Sequence, residues 1–386
     1  MTGDLSAAVR AAVGAVTDPE LRRPLADLDM VRGVEVSGAV AHVRIALTIV
    51  GCPAADRISR EVTDAAASVP GIDSVDLAVG VMTPAERQAL TERLRGGRAA
   101  RQMPFGPDSL TRVVAVTSGK GGVGKSTLTA NLAVALAARG LAVGLIDADV
   151  HGFSIPALLG LTDDDGRPPA PTRIDDLMLP PVAYGVKTIS IGMFLPRDQP
   201  AAAAVAWRGP MLHRTVSQFL TDVFFGDLDI LLIDMPPGTG DVAISVGQLL
   251  PHADVLVVTT PQTAASDVAV RSGLVAAQTG QQVIGVVENM AAMTLPDGTS
   301  LDLFGSGGGA AVAAALSTAA GPDAGAVPLL ASVPLSPALR RGGDAGVPVV
   351  VADPTDPAAV EIARVADALA KHPRGLAGRP LPFTPR

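Results

Sequence analysis

The chain has 386 residues, 48% of them apolar, a net charge of -8 and one cysteine. That length and apolar fraction suit two domains, each with its own core. A single thiol excludes an internal disulfide framework and fits a reducing cytoplasm, and the acidic balance without a lysine-rich arm argues against broad nucleic-acid binding through phosphate neutralisation.

Taken in chain order, residues 1–83 read as a small α+β domain. LSAAVRAAVGAV has apolar residues at helical spacing. VRGVEVSGAVAHVRIALTIV reads as two alternating strands joined at Ser37-Gly38, where glycine supplies the backbone angles of a tight hairpin. After Gly51-Cys52-Pro53 the pattern turns helical through ADRISREVTDAAASV, and VDLAVGV closes the domain as a strand. The expected order is helix, strand, strand, helix, strand. The opening MTGDLSAAVR lacks the basic start and apolar stretch of a secretion signal.

Residues 84–108 are charged and helical at first, then basic, and MPFGPD breaks the pattern with Pro and Gly; this stretch reads as a linker. From Leu110 strands alternate with helices: VVAVTS, STLTANLAVALAARG, AVGLIDAD, and later DILLIDMPPG, DVLVVTT and QVIGVVENM. Strands that are apolar throughout belong to a parallel sheet covered on both faces. All these apolar runs are strand-length, short of the roughly 18 to 20 residues of a membrane helix. The tail HPRGLAGRPLPFTPR is too rich in Pro and Gly to be a helix and reads as an extended arm.

The stretch GKGGVGKS, Gly119 to Ser126, follows an apolar strand and precedes a helix, the setting in which a phosphate loop is credible. Gly119, Gly121, Gly122 and Gly124 let the backbone curl its N–H groups, with that of Val123, toward phosphate oxygens, and the helix adds its positive end through Ser126 and Thr127. Lys125 supplies charge to the β and γ phosphates, and the Ser126 hydroxyl is expected to hold Mg²⁺. Asp234, ending DILLIDM, is the expected Mg²⁺ partner through water. LIDADVHG ends at Asp147 and Asp149; if the strand continues through them they share a face, and Asp149 meets a water near the γ-phosphate. Asp149 or Asp234 could instead cap the following helix. The expected class is α/β: a P-loop NTPase over 109–373 with a mostly parallel sheet covered by helices on both faces, a small α+β domain over 1–83, and an extended tail over 374–386.

The loop has a second lysine, Lys120, and here the sequence resembles the deviant phosphate-loop motif of dimeric ATPases that include the partitioning and septum-site proteins. Within that class DADVHGFSIPALLG, DMPPGTGD, VVENM and FGSGGG resemble the Mrp/ApbC family of iron-sulfur cluster carrier ATPases, many members of which carry an assembly domain like residues 1–83. The resemblance implies ATP hydrolysis by a homodimer, with Lys120 reaching the partner's nucleotide and stabilising charge during phosphoryl transfer. It also implies that Asn289, in VVENM, contacts adenine; a turn residue at the strand end is the other reading. ATP, Mg²⁺ and an iron-sulfur cluster are the implied cofactors, and apoprotein clients or assembly factors the implied partners, with no membrane or nucleic acid.

The sequence departs from that family at one place. A Cys-x-x-Cys pair typical after the ENM segment is missing from ENMAAMTLPDGTSLDLFGSGGG. Only Cys52 remains, and two thiols per dimer cannot hold a cluster by cysteine alone. Gly51-Cys52-Pro53 stands where a strand passes into a helix, a position that lowers a thiol's pKa; a small buried residue packing a helix start is the other reading. His42, His151, His213 and His252 show no metal-ligand spacing. Two further functions stay open: a nucleotide-controlled adaptor without its own cluster, and a partitioning ATPase on DNA or membrane, for which the tail offers no basic amphipathic helix.

Overall fold

The computed structural model describes residues 2–49, 54–96, 103–150, 152–195, 209–295, 297–321 and 325–371, and its contacts divide the chain into two compact units. The first unit begins α1 (Thr2–Ala15), β1 (Val31–Ser37), β2 (Val40–Leu47), α2 (Ala55–Ala67) and β3 (Ser74–Val81), in the expected order. β1 and β2 pair antiparallel about a turn in which Gly38 has φ 64°, and β3 joins β2 in parallel, with α2 as the crossover.

Two boundaries differ from the sequence reading. Residues 84–95, expected as part of a linker, form α3 (Pro84–Arg95), which starts on a reciprocal cap between Thr83 and Glu86 and ends at left-handed Gly96. Its charges mask an apolar i, i+4 pair, Leu90 and Leu94, that is buried in the core of the first unit. That unit also takes in residues 171–182 and 222–226, which the sequence reading assigned to the ATPase domain. A hairpin, Thr172–Ile174 with Leu177–Leu179, places Ile174, Leu177 and Leu179 in the same core as Leu21, Leu25 and Phe224. Each such burial stabilises by about 1.5–3 kcal/mol. Short strands inserted between strongly patterned ATPase elements carry no marker of the core they will join.

The second unit is built on an eight-stranded sheet. Its main elements are β4 (Arg112–Ser118), α4 (Lys125–Ala137), β5 (Val143–Asp147), α5 (Ile155–Leu158), β6 (Val186–Ser190), α6 (Gly209–Thr221), β7 (Ile230–Asp234), α7 (Asp241–Leu249), β8 (Asp254–Thr259), α8 (Thr263–Gln278), β9 (Gln282–Ala291), α9 (Gly308–Ala320), β10 (Leu329–Pro334), α10 (Pro337–Ala345), α11 (Val349–Ala352) and α12 (Pro357–Ala370). The strands lie in the order β10-β9-β8-β4-β7-β5-β6 with Val182–Ala183 at the edge, and the seven main strands run parallel. β4, β5 and β7 are buried along their whole length, as a sheet covered on both faces requires. Val114 and Val116 enter a cluster with α4 and α12. Val113 and Ala115, equally buried, point to the opposite face by the alternation of a strand. Among the described residues no helix is long and apolar enough to cross a membrane. The tail 374–386, Cys52 and His151 lie outside the described residues.

Candidate functional site

The C-terminal ends of β4, β5 and β7 converge in register, with Asp234 beside Val116 on one side and Asp147 on the other. From Ser118 the chain passes into the glycine loop, and Gly119 is fixed by packing: a Cβ there would overlap the backbone of Val268 and Ala269 in α8. Gly122 and Gly124 have φ of 79° and 78°, the left-handed region that glycine enters without strain. Gly124 is also the N-cap of α4 and brings no side-chain cap, so the first N–H groups of a buried helix face the loop. Uncapped helix amides and inward loop amides form an anion cradle.

Lys125 is buried at the base of this cradle, its Nζ 2.7 Å from Asp234 Oδ1. Asp234 also accepts from Ser126 Oγ at 2.6 Å and from Thr129 Oγ1 at 2.9 Å. Thr129 was not anticipated, although its i+4 spacing from Lys125 puts both on one face of α4. Asp147, fully buried on the next strand, accepts from Ser190 Oγ at 3.0 Å. Burial pushes its carboxyl well above the ordinary carboxylate value, and the neighbouring Asp234 pushes it further. Burial also raises Asp234, against the pull of Lys125. Two buried carboxyls beside one ammonium, with a serine hydroxyl on the nearer, are hard oxygen donors in a place that favours added positive charge, which fits Mg²⁺.

Asp149 reaches the site differently from the expected alternation. β5 stops at Asp147, and Asp149 belongs to the loop beyond it, where its N–H donates to Asp147 Oδ1 at 3.2 Å and its Oδ1 accepts from Gly152 N at 3.1 Å. It nonetheless lines the cavity of about 510 Å³ over the phosphate loop, together with Lys120, Lys125, Ser126, Thr127 and Pro237. Lys120 Nζ donates to Gln262 Oε1 of its own chain at 3.0 Å. A larger cavity of about 830 Å³ opens at the other end of the sheet. There the Arg112 guanidinium is already engaged by Asp254 at 2.7 Å and by the Leu369 carbonyl at 2.6 Å.

Asn289 is buried inside β9, and its Nδ2 donates to the Val123 carbonyl at 2.8 Å. A side chain on Gly124 would collide with this amide, so Asn289 fixes the loop from below in this arrangement. Asn289→Ala is expected to weaken ATP and GTP alike by roughly tenfold, the effect of one lost hydrogen bond of about 1.4 kcal/mol. A calorimetric loss confined to ATP would instead restore the expected adenine contact. Nearby, Gly308 and Gly309 have no room for a Cβ against Thr260, Pro261 and Glu288. Glu288 accepts from Gly309 N at 3.1 Å and from Ser332 Oγ at 2.9 Å. Among the described residues no group of three or more His, Cys, Asp or Glu is placed to hold a metal ion.

Comparison with known proteins adds the following. Residues 109–370 match the family described as NUBPL iron-transfer P-loop NTPase, and residues 6–79 match the iron-sulfur cluster assembly protein family. An iron-sulfur cluster carrier protein of Mycobacterium tuberculosis is 53% identical over 386 residues, covering 99% of this chain and 98% of its own. One from Synechocystis is 38% identical over 370 residues, covering 94% and 96%. A nucleotide-binding protein of Archaeoglobus fulgidus, solved with ADP, is 34% identical with a TM-score of 0.49, covering 61% of this chain and 86% of its own.

Proposed function

The chain belongs to the iron-transfer P-loop NTPase family and is an ATPase, and from that premise we propose that it works as a homodimer that carries an iron-sulfur cluster and hands it to apoproteins. The observation that carries this reading is the full-length match, assembly domain and ATPase together, to relatives named as cluster carriers.

In this reading Lys125 and the loop amides hold the β and γ phosphates. Ser126 would hold Mg²⁺, with Asp234 as its partner through water, and the ion would supply positive charge against the charge that develops during phosphoryl transfer. Binding draws Lys125 from Asp234 toward the triphosphate. Asp149 orients the attacking water at the rim of the cavity. Lys120 leaves Gln262 and enters the partner's site, so hydrolysis waits on dimer closure. The cluster is cargo. Cys52 supplies one thiolate from each subunit, two per dimer, and the remaining iron positions are filled by a small thiol or by the client, which makes the cargo labile and ready to leave.

The adaptor reading draws on the same lone cysteine. The two separate when protein reconstituted anaerobically with iron and sulfide is mixed with an apo-ferredoxin. A carrier restores the ferredoxin's visible absorption in the presence of a chelator that strips iron from solution. An adaptor restores none.

A further inference from the structure

Between Asp147 and Ser190 the chain leaves the ATPase sheet and comes back to it. It departs at the end of β5, passes α5, forms the hairpin over 172–179, and returns as β6. Both roots of this excursion are tied to one carboxylate: Asp147 Oδ2 accepts from Ile155 N at 3.3 Å and from Ser190 Oγ at 3.0 Å. The other oxygen, Oδ1, accepts from the N–H of Asp149, which lines the phosphate-loop cavity. The middle of the excursion is built into the first unit. Ile174, Leu177 and Leu179 are at most 3% exposed in its core, Thr172 Oγ1 donates to Glu20 Oε1 at 2.6 Å, and Asp176 pairs with Arg95 at 2.8 Å.

A fully buried carboxyl is costly where packing alone is needed, since an apolar side chain of similar size would fill the space. The cost at Asp147 is offset by the bonds it accepts, and those bonds run to the cavity loop and to both roots of the hairpin. We propose that Asp147 is a positioning residue that couples nucleotide binding to the N-terminal unit, with the 155–190 excursion as the strap that carries the change. When nucleotide repositions Asp149, the shared carboxylate shifts both roots together, and the hairpin anchored in the N-terminal core transmits that shift to the unit bearing Cys52.

The inference rests on ATP binding at this loop, and hydrogen exchange on the full chain tests it, with a non-hydrolysable ATP analogue and Mg²⁺ added and binding followed by calorimetry on the same samples. In the wild type, exchange in peptides covering 172–179 is expected to change on binding. Asp147→Ala should still bind the analogue, lose that change, and lower kcat with little effect on KM. Asp147→Asn, which keeps one acceptor oxygen, should recover part of both. Ser190→Ala cuts a single root and should shrink the hairpin response, which keeps the test decisive if Asp147→Ala does not fold. A response of wild-type size in the bound Asp147→Ala or Ser190→Ala protein overturns the proposal, as does a bound wild type whose hairpin does not respond. Loss of analogue binding in the wild type is read separately, by calorimetry, as failure of the ATPase reading itself.

Discussion

Lys125→Ala is expected to lower ATP affinity at least about 100-fold, or about 2.7 kcal/mol, by calorimetry. The ammonium is buried at the base of the cradle, where its attraction to phosphate is little screened. The variant also leaves Asp234 and Asp147 buried without the Lys125 ammonium beside them, so its stability should depend on pH in a defined direction. Both carboxyls are raised above the ordinary value of 3.8, so each holds its proton more tightly folded than unfolded. The stability this contributes is complete below the unfolded value and is lost as pH rises through the folded ones. Without Lys125 opposing the rise, melting temperature should fall more steeply between acidic and neutral pH than in the wild type. Wild-type affinity in Lys125→Ala would remove the loop from nucleotide binding.

Lys120→Ala is expected to bind ATP normally and to hydrolyse it about 10³-fold more slowly, the lower end of the range for a cation supplied to a phosphoryl-transfer site by a partner. The two lysines are five residues apart and differ in setting. Lys125 is buried against Asp234, whereas Lys120 reaches the cavity rim and bonds an exposed glutamine. In the proposed homodimer, mixing Lys120→Ala with Lys125→Ala would pair an intact loop with an intact Lys120, so activity should reappear on mixing two inactive proteins. No recovery, or an equal loss of affinity in both variants, would contradict the role in trans. In the same single-turnover assay Asp149→Asn should slow hydrolysis by about 10²-fold, the scale of lost acid-base assistance, with ATP affinity kept; a wild-type rate would take the water-orienting role from Asp149.

The phosphate loop was legible because its chemistry and its backbone constraints coincide. Gly122 and Gly124 must be glycine for their φ, Lys125 and Ser126 for their charge and hydroxyl, and the strand-loop-helix pattern surrounds them. The parallel sheet was legible from strands apolar on both faces. What stayed hidden was long-range. Nothing in TRIDDLML marks it as part of the N-terminal core, because an amphipathic hairpin does not specify which apolar surface it covers. Leu90 and Leu94 were masked by charged neighbours on α3. Asn289 was read from its likeness to an adenine contact, yet the bond it makes is to a carbonyl 166 residues earlier in the chain. Asp147 was seen as an acidic strand end, but its links to Ile155 and Ser190 depend on where the chain returns after the hairpin.

The most direct test of the carrier account is the iron and sulfide content of the purified protein after anaerobic reconstitution, wild type against Cys52→Ser. The account predicts that the wild type takes up a visible-absorbing cluster that is easily lost on gel filtration, and that Cys52→Ser takes up none while its basal ATPase rate stays near wild type. That separation is expected because the thiol belongs to the unit matched to the assembly family and the phosphate loop to the other. A stoichiometric cluster retained by Cys52→Ser would contradict the ligand assignment, and a wild type that never takes up iron and sulfide would contradict the carrier function and leave the adaptor.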